Sequence, residues 1–184
     1  MNIILASEVI HPGGAETFIL RLAQALHNNG HDVRVFVFYN ELLNRELCKL
    51  IAPDVQVVAA NIPAAKITAK VDGLFFRTKT DFSLRDVYIR RSLKKLITEH
   101  KTEVIHSHLL KVDKLCLDVC AELNIPVVNT IHGDYLQFFN KTKNNIPIPL
   151  LNYSTRAPHN LKRLAATVCI SDKQIGFFEE HFAQ

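Results

Sequence analysis

A glycine pair, Gly13-Gly14, stands between a short apolar run (Ile3, Ile4, Leu5, Ala6) and an amphipathic segment that closes at Asn29-Gly30. A strand that feeds glycines which feed a helix builds an anion site. Glycine lets the backbone approach a ligand closely, and the first helical N–H groups have no partner inside the helix. A diphosphate suits such a place. A tight Gly-Gly turn that binds nothing is the alternative. Glu16, in the first turn of the same helix, favours the helix dipole but repels a nearby phosphate.

Two further groups carry imidazoles. His106-Ser107-His108 and Thr130-Ile131-His132-Gly133-Asp134 each end a short apolar run. In an extended backbone, residues two apart share a face, so His106 and His108 point to one side. Such a pair can hydrogen-bond a substrate, bind zinc or be structural. No third ligand or partner carboxylate accompanies it, so no metal site is expected. His132 is the better functional candidate, because Gly133 beside it relieves backbone crowding next to a ligand.

The elements that must position these groups alternate between strand and helix. Asn2–Ala6, Val33–Phe38, Val55–Ala59, Glu103–His106, Pro126–Ile131 and Thr167–Ile170 read as strands. Ile19, Leu22, Ala23 and Leu26 form the apolar stripe of the first helix. Further helices are expected at Leu42–Ile51, from a Ser83/Asp86 capping box to Glu99, at Asp113–Leu123, at Leu150–Leu164, and after Ser171, with Gln174 completing its cap. Residues 60–80 have no clear period and read as a variable loop or a short irregular helix. Residues 134–149, with Pro147 and Pro149, read as a long loop.

This alternation predicts one α/β domain over residues 1–184, a doubly wound, Rossmann-like parallel sheet with helices on both faces. In such folds ligands lie beyond the carboxyl ends of the strands, where the strand order reverses. The two glycines and three histidines are all expected at strand ends.

The composition, 48% hydrophobic and 22% charged over 184 residues, is that of an ordinary folded domain rather than a disordered chain. No apolar run is long enough to span a bilayer, and Met1–Ala6 is too short and lacks the basic flank of a signal peptide. The four cysteines form no C-x-x-C pair. A cytoplasmic location is the expectation. Cys116 and Cys120, four apart on a helix, suit buried packing better than a two-ligand metal face.

The net charge of +4 is unevenly placed. Nine basic residues fall between Lys66 and Lys95, opposed only by Asp72, Asp81 and Asp86. A solvated helix face would account for them, as would attraction to anionic lipid head groups or to a phosphorylated substrate.

These residues together resemble a known family. Gly13-Gly14-Ala15-Glu16-Thr17, then Leu22-Ala23-Gln24-Ala25-Leu26 and Asn29-Gly30-His31-Asp32-Val33, look like the opening signature of family 4 retaining glycosyltransferases of the GT-B architecture. Glu103–His108 is similar to the next marker, Ile125–Gly133 to the third, and Cys169-Ile170-Ser171-Asp172 to the strand-to-helix step near the end of the N-terminal domain. Four loose pieces in the right order make the resemblance specific, and it covers nearly the whole chain.

The resemblance implies one half of a GT-B fold, with the C-terminal nucleotide-sugar-binding domain absent from this sequence and the isolated half inactive. It implies Gly13 and Gly14 near the donor diphosphate, His132 as the catalytic histidine by the transferred sugar, and His106, His108 and Glu16 on the acceptor side. The nucleotide sugar would be a co-substrate; no cofactor or metal is implied. The acceptor would be a glycan or lipid-linked molecule of cell-surface polysaccharide or lipopolysaccharide synthesis. The enzyme would be cytoplasmic and peripheral on the inner face of the membrane through residues 66–95, and no nucleic-acid partner is expected.

Two other readings compete. A nicotinamide-dependent Rossmann oxidoreductase needs G-x-G-x-x-G directly after the first strand. Here the loop Ser7–Pro12 comes first and the glycines are adjacent, although Glu41 falls loosely near the ribose-binding position. A non-catalytic α/β binding module would make the histidines incidental.

Overall fold

A computed structural model of the chain describes residues 1–78, 82–133 and 156–182. Among these residues six strands form one sheet: β1 (Asn2–Ser7), β2 (Asp32–Val37), β3 (Gln56–Ala59), β4 (Val104–His108), β5 (Val127–Ile131) and β6 (Ala166–Cys169). All neighbours pair in parallel, in the order β3-β2-β1-β4-β5-β6. This is the doubly wound order expected from the strand–helix alternation. The chain builds outward to β3, then crosses back to lay β4 against the free side of β1. The switch point therefore lies between β1 and β4.

Strand alternation sorts the core into two layers. Leu5, Val33, Val35 and Val37 face α1 (Gly14–Asn28) and α2 (Arg45–Ile51), with Ile19, Leu20 and Ala23 of α1 fully packed. Ile4, Ala6, Phe36 and Phe38 face the opposite way, onto Ile89 and Leu93 of α4 (Leu84–His100) and Val112, Leu115 and Cys116 of α5 (Leu110–Ala121). Burial on both faces is why the strands read as nearly continuous apolar runs.

Several boundaries moved. β4 stays extended to His108, two residues beyond its expected end, and α5 starts at Leu110 rather than Asp113. The expected helix 42–51 begins instead at Arg45, after a 3-10 turn at Asn40–Leu42, because the Asn44 side chain caps it, accepting from the Leu47 N–H at 3.0 Å. Residues 156–161 are helical. The expected loop 134–149 and the start of the helix expected from Leu150 lie outside the described residues.

The largest correction concerns residues 60–80, where a regular helix, α3 (Ala65–Arg77), replaces the expected loop or irregular helix. Its buried residues are polar, Thr68 and Asp72, while Ile67 and Leu74 are exposed. The usual apolar period is thus interrupted, with only partly buried Val71, Phe75 and Phe76 to carry it. The burial of Asp72 has a clear reason. Its carboxylate accepts from Ser83 Oγ (2.7 Å), Leu84 N (2.6 Å) and Arg85 N (3.3 Å), capping the start of α4 from a neighbouring helix. Ser83 Oγ accepts from Asp86 N at 3.1 Å as the capping box requires, but the carboxylate that serves the free N–H groups is Asp72.

Candidate functional site

Because β1, β4 and β5 are neighbours, the three expected groups converge on one stretch of the carboxyl edge. Gly13 precedes α1 in an extended conformation (φ −166°) and Gly14 opens the helix. The backbone there does not demand glycine, so close approach is the remaining reason for it. A Cβ on Gly13 would collide with the Glu16 carboxylate, whereas a Cβ on Gly14 would meet open space. Glu16 thus folds back over the start of its own helix, where a carboxylate satisfies the dipole, and Gly14 keeps the open approach.

On β4 the rings of His106 and His108 stack, with centroids 4.6 Å apart and planes 20° from parallel. The extended backbone puts both on the α1 side, while Ser107 between them points to α5, where its Oγ donates to Asp113 Oδ1 at 2.6 Å. His106 Nε2 hydrogen-bonds Thr130 Oγ1 (2.7 Å), and His108 Nδ1 hydrogen-bonds His132 Nε2 (2.8 Å). Phe18, one turn into α1, sets its ring edge-to-face against His132 at 5.2 Å and His108 at 6.3 Å. Sequence reading missed Phe18; an aromatic four residues after Gly14 on the exposed end of α1 was the available signal.

Burial keeps these imidazoles uncharged. It pulls His108 down to about 2, helped by the neighbouring imidazoles, and His106 down to about 4, helped by His132. Burial also lowers His132, although Glu16 pulls it back up. His108 is completely buried, while His106 and His132 are partly exposed. His108, expected on the acceptor side, stands behind His132 with no exposed surface of its own.

Two backbone features fix the strand ends. Leu109 (φ 82°, ψ 148°) turns the chain from β4 into α5 in a region normally reserved for glycine, and such strain collects at functional sites. Gly133 has φ +152°, a value glycine alone adopts freely. Gln174, on the last helix α6 (Asp172–Phe182), holds that turn. Its Nε2 donates to Gly133 O (2.8 Å) and Ile131 O (3.4 Å), and its Oε1 accepts from Ile170 N (2.8 Å). The residue expected to complete a local cap thus grips the carbonyls on both sides of His132. Asp134 lies outside the described residues.

A second polar group occupies the α4/α5 side of the same edge. Lys111 Nζ donates to Tyr39 OH and lies 3.7 Å from Glu8 and 3.6 Å from Asp86. The Arg85 guanidinium sits 3.9 Å above the Tyr39 ring and pairs with Glu41. Burial raises the Tyr39 phenol, with Lys111 opposing. Sequence reading missed Glu8, Tyr39 and Lys111, although the first two follow β1 and β2 directly.

The basic region 66–95 divides between two helices. On α4, Arg85 pairs with Glu41, Arg90 with Asp118 (2.5 Å), Lys94 with Glu122 (2.7 Å) and Lys95 with Glu99 (3.7 Å). On α3, Lys66, Lys70 and Arg77 are exposed beside Ile67 and Leu74, and none makes an ion pair among the described residues. No helix of the described residues is long and apolar enough to cross a membrane.

Cys116 and Cys120 pack in the core, where burial raises both thiols, Cys120 to about 12. Among the described residues no three His, Cys, Asp or Glu side chains are grouped to hold a metal.

The sequence profile of Glycosyltransferase Family 4 matches residues 12–183. The chain belongs to glycosyltransferase family 4. This sets aside the nicotinamide oxidoreductase reading, whose ribose-binding candidate, Glu41, is spent on Arg85.

Solved structures of similar fold agree. Sucrose-phosphate synthase from Thermosynechococcus elongatus superposes with a TM-score of 0.64 at 13% identity, over 99% of this chain and 45% of that one. Anabaena HepE, solved with UDP and glucose, gives 0.63 at 13% identity, over 99% and 41%. Os79 from O. sativa, solved with U2F and a trichothecene, gives 0.64 at 12% identity, over 97% and 50%. The chain thus spans half or less of each, and its fold is one Rossmann-like half of a GT-B enzyme. No curated protein sequence matches the chain.

Proposed function

We propose that this family 4 domain is the acceptor-side half of a retaining glycosyltransferase. It would move a sugar from a nucleotide-sugar donor to a glycan or lipid-linked acceptor in cell-surface polysaccharide or lipopolysaccharide synthesis. The observation that carries the reading is the uncharged cluster of His106, His108 and His132 at the switch point, beside the open approach to Gly14. The UDP and glucose held by HepE support a nucleotide-sugar donor.

In this reading His132 hydrogen-bonds a hydroxyl of the transferred sugar, where a neutral imidazole can act without repelling charge that develops at the anomeric carbon. The N–H groups at Gly14 and the start of α1 face the donor diphosphate across the cleft. Glu16 lies in that path. A phosphate must displace its carboxylate, or Glu16 must take a sugar hydroxyl as its partner instead. His106, partly exposed and fixed by Thr130, faces the acceptor. Side chains and helix N-termini would neutralise the diphosphate, so neither cofactor nor metal is invoked. Most of that neutralisation belongs to a C-terminal nucleotide-sugar-binding half, and the 1–184 domain alone is expected to be inactive.

The exposed face of α3 supports a peripheral place on the inner face of the cell membrane. Ile67 and Leu74 can enter the interface while Lys66, Lys70 and Arg77 meet anionic head groups. Neutralising Lys70 and Arg77 together removes about 2 kcal/mol of attraction, roughly thirtyfold in binding. Liposome co-sedimentation checks this, and equal binding to neutral and anionic vesicles would contradict it.

Sugar transfer by the domain joined to its C-terminal half, assayed with the common nucleotide sugars and lipid-linked acceptors, tests the main reading. Transfer or donor hydrolysis with at least one donor is expected, and its loss in His132→Ala. No turnover with any donor would overturn the reading.

A further inference from the structure

His108 reaches the site only through His132. Its Nδ1 is 2.8 Å from His132 Nε2, and its ring lies between the stacked ring of His106 and the edge of Phe18. Its other nitrogen, Nε2, is buried and has no hydrogen-bond partner among the described residues. Two arrangements of the protons satisfy the short bond. In one, His132 Nε2–H donates and His108 carries its proton on the orphaned Nε2. In the other, His108 Nδ1–H donates and its Nε2 is a bare lone pair.

The two differ in what is left unpaired in the interior. An orphaned N–H is the rarer and costlier defect, while an acceptor lone pair without a partner is tolerated more often. The second arrangement is therefore favoured. It has a consequence for the exposed partner. His132 then accepts through Nε2, and a neutral imidazole must carry its one remaining proton on Nδ1.

We propose that His108 is a positioning residue that fixes His132 as the Nδ1–H tautomer, so that His132 offers a hydrogen-bond donor rather than a proton acceptor. The inference rests on the reading that His132 meets the transferred sugar. A donor there binds a hydroxyl oxygen or an oxygen gaining negative charge. It does not remove a proton, so His132 is not a general base.

Long-range proton–nitrogen NMR of the ¹⁵N-labelled chain tests this without any donor. Expected is a His132 signal pattern with a protonated Nδ1 and a bare Nε2, assigned by its loss in His132→Gln. A protonated Nε2 would overturn the proposal. His108→Asn keeps a side-chain N–H near the Nδ1 position and should preserve the His132 pattern. His108→Val removes the donor, and His132 should shift toward the Nε2–H form that free histidine favours. An unchanged pattern in a folded His108→Val would overturn the role of His108. If His108→Val does not fold, the wild-type and His108→Asn spectra decide the matter. In the joined enzyme His108→Val should lower kcat with little change in the donor KM, and His108→Asn should recover part of that loss. A wild-type Nδ1–H pattern with no effect of His132→Gln on transfer would uphold the hydrogen-bond assignment and overturn the site reading instead.

Discussion

The two polar clusters at the carboxyl edge are built on opposite sides of the same sheet and by opposite rules. On the α1 side, three histidines, Thr130 and Phe18 are held by short neutral hydrogen bonds and ring packing, and burial removes their charge. On the α4/α5 side, Lys111, Arg85, Glu8, Glu41 and Asp86 surround Tyr39 with full charges. Charges that are mutually paired tie loops together and have little left to offer a ligand. Uncharged donors and acceptors at a strained, open edge can still be claimed by one. The contrast predicts that the histidine side carries chemistry and the ionic side carries stability.

His132→Ala gives the largest expected effect. Removing a hydrogen bond that strengthens in the transition state costs about 10²–10³ in kcat, while the domain should lose only about 1–2 kcal/mol of stability, from the buried His108 N–H left without its acceptor. A stability loss matching the activity loss would erase the distinction between the clusters. Lys111→Met comes next, with the opposite signature. It leaves Glu8 and Asp86 facing each other without their cation and strips Tyr39 OH of its donor. About 2–3 kcal/mol of unfolding free energy should be lost, somewhat below the cost of breaking a fully buried pair, with kcat in the joined enzyme changed only a fewfold.

The pH dependence of stability follows third. His106 and His108 have folded values below the ordinary 6.5, so they are neutral in the fold and protonate first in the unfolded chain. Their stabilising contribution is complete above pH 6.5 and is lost as the pH falls, through about 4 for His106 and on to about 2 for His108. Asp113 acts the other way. Burial raises its carboxyl to about 6 against 3.8 unfolded, so its contribution is present below pH 3.8 and is lost as the pH rises through 6. Between pH 4 and 6 the two histidines outweigh the one carboxyl by one proton. Stability should climb by about 1.4 kcal/mol per pH unit there, and urea titrations at half-unit steps would show it. His108→Asn should flatten the climb, whereas Lys111→Met should shift the curve without changing its slope. Arg85→Lys is the smallest change. It keeps a cation for Glu41 but loses the guanidinium stacking on Tyr39, for about 0.5–1 kcal/mol, measurable by thermal unfolding.

Local features of this chain were legible wherever a signal and its cause lie within one element. The alternating apolar residues of β1 and β2, the Asn29-Gly30 helix end and the histidines at the ends of β4 and β5 all declare themselves by spacing. The helix α3 did not, because its inward residues are polar. Thr68 and Asp72 face the protein for the sake of α4, and only the neighbouring helix makes that orientation favourable. Gln174 was legible as a local cap, and its Oε1 does accept from Ile170 N, but its amide also donates to Ile131 and Gly133, more than forty residues earlier, which no local spacing announces.

The sequence by itself determined the α/β class, the parallel sheet and the set of residues that reach its carboxyl edge, since periods of 2 and 3.6 record which side of each element is buried. The tertiary structure decided which of those residues meet. Only the crossover that lays β4 between β1 and β5 brings His108 against His132, sets Phe18 on both rings and leaves Gly14 open. It also decided which charges are spent, pairing four of the five Lys and Arg side chains of α4 while Lys66, Lys70 and Arg77 of α3 stay exposed. Contacts between residues far apart in the chain are fixed by strand order, and no local spacing encodes that order.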